Sequence, residues 1–163
     1  MVELQLPQPN HIQDPEYDGS STLEAKSLVS ALPRLALENQ VITTLFRHYI
    51  DFLSPWYDLN DSQSLFGTLV PQRAMSNPIL FKAAIAFSAC HVSRTSDGSH
   101  YQELGHEYHA ACIRDLLEVL NDVRLEMQDD YLAATCLLRS YEILNGKIIS
   151  FGLLHCANVD GVR

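Results

Sequence analysis

Apolar residues recur along this chain mostly at spacings of three and four, the repeat of α-helices that bury one face. The first such stretch, residues 23–32, predicts a short helix capped by Thr22 and ended by Pro33. In residues 37–53, Val41, Ile42, Leu45, Phe46, Tyr49, Phe52 and Leu53 form a broad stripe and predict a stronger second helix. Ser54-Pro55 predicts its end, because proline disfavours helical backbone in the residue before it. Residues 56–71 then read as a long connection pinned by Trp56, Tyr57, Leu59, Phe66, Leu69 and Val70. Residues 77–94 are apolar nearly all round, the pattern of a central, buried helix. Asn77-Pro78 gives that helix a capping side chain followed by a proline in the first turn. Asp97-Gly98 marks a turn into a fourth helix, 99–120, whose seam is Tyr101, Leu104, Tyr108, Cys112, Leu116 and Leu120. Asp129 is placed to cap a fifth, 130–144, and Gly146 suits its C-terminal end.

The predicted fold class is therefore all-α: an array of about five helices, arranged as helical hairpins, over residues 23–145. An acidic tail of residues 1–22 precedes it. Pro7, Pro9, Pro15 and Gly19 alternate there with Asp14, Glu16 and Asp18, a composition expected to stay disordered. Residues 146–163 have a different character. Their segment 147–154 has strand-like content, but one short strand makes no sheet.

Charge narrows the function. Against 20 Asp and Glu stand only 11 Lys and Arg, a net charge of -9. Affinity for nucleic acid comes largely from Lys and Arg that neutralise phosphates, so no direct DNA binding by this chain is expected. The 163 residues are 47% hydrophobic, enough for one packed domain. No apolar run reaches membrane-spanning length and residues 1–10 lack the apolar core of a secretion signal, so no membrane partner is expected. Cys90, Cys112, Cys136 and Cys156 are too widely spaced for a C-x-x-C pair. The first three fall in apolar helical segments, where buried free thiols of an intracellular protein are expected.

Chemistry-bearing patterns are sparse. His106 and His109 lie three residues apart, Glu103 precedes them by the same step, and Cys112 follows. One helical face could bring these groups to a metal. A carboxylate di-iron site would need a second E-x-x-H on another helix, and the sequence has none. Glu103, His106 and His109 are thus weak metal candidates, and a polar helix flank is the favoured reading. There is no G-x-S-x-G elbow, no G-x-G-x-x-G and no P-loop. No catalytic residue and no cofactor are expected.

Six segments carry a further signal: 45–58 (LFRHYIDFLSPWYD), 66–74 (FGTLVPQRA), 77–80 (NPIL), 84–94 (AIAFSACHVSR), 108–113 (YHAACI) and 132–142 (LAATCLLRSYE). In this order they resemble the middle regulatory region of fungal zinc-cluster transcription factors, the fungal-specific transcription factor domain. Specificity lies in the combination, above all Ser54-Pro55-Trp56 and Val70-Pro71-Gln72-Arg73. The resemblance covers about residues 38–144. It implies an all-helical domain that modulates a transcription factor in the nucleus. It also implies protein partners, either the transcription machinery or a second copy of the chain, and a small-molecule effector of unspecified identity. The family's DNA-binding module holds two zinc ions with six closely spaced cysteines. This sequence contains no such cluster, so no zinc ligand carries over. The resemblance thus implies a regulatory region without a DNA-binding module of its own, and the front part of one. A helical adaptor outside transcription is the second expectation. A metal-dependent helical enzyme built on Glu103, His106 and His109 ranks last.

Overall fold

The computed structural model describes residues 19–59, 63–95, 98–121 and 129–146, and among these every regular element is a helix. In chain order they are α1 (Gly19–Ser27), a 3-10 turn (Leu28–Ser30), α2 (Pro33–Ala36), α3 (Gln40–His48), a π-helical turn (Tyr49–Leu53) and α4 (Ser54–Tyr57). Then come α5 (Leu65–Ala74), α6 (Pro78–Val92), α7 (Tyr101–Asn121) and α8 (Asp129–Leu144).

Helix α6 is the axis of the molecule. Every residue from 79 to 90 is buried, as an all-round apolar helix requires. It packs most extensively against α7 and α8, and α3 and α5 cover more of it. Small residues let α6 and α7 approach closely. A Cβ added to Gly105 would stand 3.4 Å from Ala89 Cβ and from the Cys90 backbone nitrogen. Leu104, Tyr108, Cys112, Leu137 and Tyr141 fill the two flanking seams, each almost wholly buried. Each such side chain contributes about 1.5–3 kcal/mol relative to its exposed state.

Asn77 starts α6 as its position suggests. Its Oδ1 accepts from the backbone N–H groups of Ile79 (3.1 Å) and Leu80 (3.2 Å). Its Nδ2 also donates to Asp130 of α8 at 3.3 Å. Asn77→Ala is therefore expected to lower stability by about 1–2 kcal/mol, read as a lower urea midpoint. An unchanged midpoint would show that the cap is dispensable. At the other end of the array, Gly146 adopts φ 73° just beyond α8, the left-handed conformation a helix C-cap favours.

Three local expectations are corrected. Helix α1 begins at Gly19, inside the segment read as tail, and Thr22 is a buried residue of α1 rather than its cap. Tertiary contact explains this. Ala25 is fully buried, Tyr108 of α7 donates to its carbonyl at 3.4 Å, and Lys26 pairs with Glu103 at 2.6 Å.

Second, Ser54-Pro55 does not end the second helix. The chain passes through the π turn, where the Ser54 N–H reaches back to the Tyr49 carbonyl. The Ser54 hydroxyl donates to the Ile50 carbonyl at 2.8 Å, and Pro55, with no N–H to place, sits in the first turn of α4.

Third, residues 65–74 are a helix rather than connection, with Pro71 inside it. Its N-terminal N–H groups are satisfied from a distance: the Asp58 carboxylate accepts from Phe66 (2.9 Å) and Gly67 (2.7 Å). The segments 1–18, 122–128 and 147–163, with the strand-like stretch and Cys156, lie outside the described residues.

Candidate functional site

The three residues weighed as metal ligands do not converge. Glu103 turns toward α1 and pairs with Lys26 at 2.6 Å, a contact that holds its carboxyl below the usual range. His106 and His109 face α8 instead. Asn145 Nδ2 donates to His106 Nε2 at 3.2 Å. The His109 ring stacks on Tyr141 with centroids 4.1 Å apart, and its Nε2 lies 3.7 Å from Glu142. Among the described residues, no group of three His, Cys, Asp or Glu side chains is arranged to hold a metal ion. Cys112 sits apart, its thiol donating to the Ile79 carbonyl at 3.2 Å. Burial pushes the Cys90 and Cys112 thiols up, away from the thiolate form that nucleophilic or ligand chemistry needs.

Two other features gather functional side chains. The first is an aromatic corner where the π turn and α4 meet α6 and α8. Its rings run in sequence. Phe52 stacks on His48 (centroids 5.0 Å), His48 meets His91 (5.1 Å), and Trp56 stands edge-on to both His91 (5.3 Å) and Phe87 (6.4 Å). His48 Nε2 and His91 Nδ1 share one hydrogen bond of 3.0 Å. Tyr57 stacks on Phe66 at 4.4 Å, and its hydroxyl bonds the Ser140 hydroxyl of α8. Between these groups opens a recess of about 270 Å³, lined by Trp56, Tyr57, Phe87, Ser140, Ile143 and Leu144.

The histidine pair sets a pH dependence. Burial, then the neighbouring His91, lowers the His48 pKa to about 4; burial lowers His91 as well. The unfolded chain therefore binds these protons at a higher pH than the folded one. The contribution of neutral His48 to stability is whole above pH 6.5 and is lost as pH drops from 6.5 toward 4. The slope contributed by His48 alone is about 1.4 kcal/mol per pH unit, summing to about 3 kcal/mol at most. Urea midpoints at pH 7.5, 6 and 5 should fall in that order, and less steeply for His48→Gln. Equal slopes for the two proteins would show that His48 is not the group responsible.

The second feature is a groove of about 360 Å³ between α5 and α8. Leu65, Phe66, Leu69 and Val70 line one wall, and Leu132, Ala133 and Cys136 the other. Leu65, Leu69 and Leu132 are large apolar side chains left exposed, Leu132 at 60%. The Arg73–Asp130 ion pair (2.7 Å) closes one end, with Asp129 exposed beside it. The sequence carried the leucines but not the groove. Residues 65–70 read as connection, so their apolar positions looked like anchors rather than a helical wall.

Comparison with known proteins adds one match. The sequence model described as fungal specific transcription factor domain matches residues 44–158, running past the end near residue 144 that the motifs suggested. No curated protein and no solved structure matches the chain.

Proposed function

From the premise that the chain belongs to the fungal specific transcription factor domain family, we propose that it modulates transcription in the nucleus through protein contacts and makes no DNA contact of its own. The observation that carries this reading is the family match over residues 44–158. Its charge supports the second half: at -9 the chain repels a phosphate backbone. No helix among the described residues is long and apolar enough to cross a membrane.

The groove between α5 and α8 supplies the contact surface. Leu65 and Leu69 lie one turn apart on α5, facing Leu132 across the groove. This geometry receives the apolar stripe of an amphipathic helix. Asp129 at the closed end favours a partner helix with a Lys or Arg there. The partner is thus a helical segment of another regulatory protein.

Tethering tests this. The full chain is fused to an unrelated DNA-binding module, and reporter output is compared with that of the module alone. Output should change, and should return toward the module's own level in Leu69→Glu and Leu132→Glu, both at exposed positions. Output identical to that of the module alone would overturn the reading. So would exclusion of the tagged chain from the nucleus, which would assign it to an adaptor role elsewhere. Sequence-specific retardation of DNA by the isolated chain would overturn the second half.

A further inference from the structure

The recess at the aromatic corner has the features of a small-molecule site. Its walls are fixed before any ligand arrives. Trp56 is held edge-on by Phe87 and His91. Tyr57 is held by its stack on Phe66, by its edge contact with Phe87 at 6.3 Å and by its hydroxyl on Ser140. A preorganised wall spares a ligand the ordering that weakens binding to mobile surfaces. Yet two large apolar side chains on its rim stay half out of the core: Trp56 is 52% exposed and Ile143 45%. They come from different helices and flank one opening.

Polar partners in this recess are few. The polar side-chain groups of its lining residues are the Trp56 indole N–H and the Tyr57 and Ser140 hydroxyls; the two hydroxyls already bond one another, and Tyr57 also reaches the Cys136 carbonyl at 3.4 Å. Water with few partners is displaced favourably by an apolar group. The volume of about 270 Å³ is near the lower end of ligand pockets, which start at about 300 Å³, so the occupant is small.

Charge and shape define its class. No Lys, Arg, Asp, Glu or His lines the recess, so an ionised ligand would lose its hydration without a counter-charge. Three aromatic rings favour a flat, π-bearing body in edge or offset contact. We propose that the Trp56–Tyr57–Phe87–Ile143 recess binds a small, uncharged, planar aromatic molecule carrying at most one hydroxyl or carbonyl, oriented by Ser140. Its regulatory meaning rests on the transcriptional reading, whereas binding itself is measured without it.

Trp56 is the single tryptophan of the chain, so its emission reports on this recess alone. The probe is 2-naphthol, neutral at pH 7, titrated against the full chain. Its charged counterpart is 2-naphthalenesulfonate, with the same rings. Saturable quenching of Trp56 is expected for 2-naphthol, with affinity at least tenfold weaker for the sulfonate. Ile143→Glu, at a half-exposed position, should weaken 2-naphthol binding at least tenfold with far-UV circular dichroism unchanged. Ser140→Ala should weaken it about two- to fivefold for 2-naphthol and leave naphthalene itself unaffected, a split that a purely structural effect would not give. Unsaturable quenching overturns the proposal. So does equal affinity for the charged probe, or an unchanged affinity in folded Ile143→Glu. Failure here leaves the reporter result standing, and a silent reporter leaves this binding curve standing.

Discussion

Replacing Phe87 by alanine is expected to destabilise the chain by about 3 kcal/mol, the lower part of the range of about 3–5 kcal/mol for an aromatic deleted from a core. Phe87 is 1% exposed at the middle of α6, so the full transfer term of its ring is lost. The cavity term is what places the value low. Phe87 forms the floor of the Trp56 recess, so the space left behind joins a recess already open to solvent and Trp56 can lean into it. A buried residue with no such neighbour has no equivalent relief. Leu80 is fully buried on the same helix, and Leu80→Ala should lose a larger share of its own range, about 2–5 kcal/mol. Urea unfolding followed by circular dichroism measures both. Trp56 emission should also shift to the red in Phe87→Ala and stay put in Leu80→Ala. A loss below about 1 kcal/mol for Phe87→Ala would mean that α6 is not the axis described.

The second large effect concerns an ion pair inside this apolar helix. Lys82 is buried among the residues of α6, its side chain 9% exposed, and its Nζ meets Asp115 of α7 at 2.5 Å. Removing the acid leaves an ammonium group with little access to water, and breaking such a buried pair costs about 3–5 kcal/mol. The 29% exposure of the Asp115 side chain lets some water reach the stranded charge. The expectation for Asp115→Ala is therefore about 2–3 kcal/mol. Lys82→Met removes the charge and keeps the volume, so it should be near neutral or stabilising. In the double variant Lys82→Met/Asp115→Ala most of the Asp115→Ala loss should disappear. If Lys82→Met is as damaging as Asp115→Ala, the pair contributes net attraction and the desolvation argument fails.

The parts of the fold written in the sequence are those whose signals are local. Asn77-Pro78, the apolar-rich run to Val92, the seam through Tyr108 and Cys112, and Gly146 each act within a few residues. Helices α6, α7 and α8 follow from them directly. What escaped is held by distant partners. Helix α5 takes its N-terminal acceptors from Asp58, which lies outside the helix, and Gly67 makes room for that carboxylate: an added Cβ would stand 3.1 Å from Asp58 Oδ2. A local reading sees only Pro71 and no cap. Helix α1 has little amphipathic pattern of its own and is fixed by Tyr108 and Glu103 of α7. The site divides the same way. Trp56 was legible as an anchor, and the SPW segment as a family mark. That Trp56, Phe87 and Ile143 share one recess depends on how three helices cross, which no spacing encodes. The Glu103, His106 and His109 spacing was legible too, but the neighbouring helices draw those side chains apart.

The π turn at Tyr49–Leu53 sets where Trp56 points. Each residue of an α-helix advances the azimuth by about 100°, and a π turn holds one residue more than regular winding would. The rod from Gln40 to Tyr57 is thus out of phase with itself: Val41, Ile42, Leu45 and Tyr49 are referenced to one bearing, Trp56 and Tyr57 to another. Removing one residue from 49–53 would restore regular winding at a cost to the core, because Tyr49 and Leu53 are fully buried there. It would swing the indole about a quarter turn away from Phe87. Tyr57 and Asp58 would turn with it, so the recess, the Tyr57–Ser140 contact and the carboxylate that accepts from Phe66 and Gly67 all take their bearing from this one extra residue.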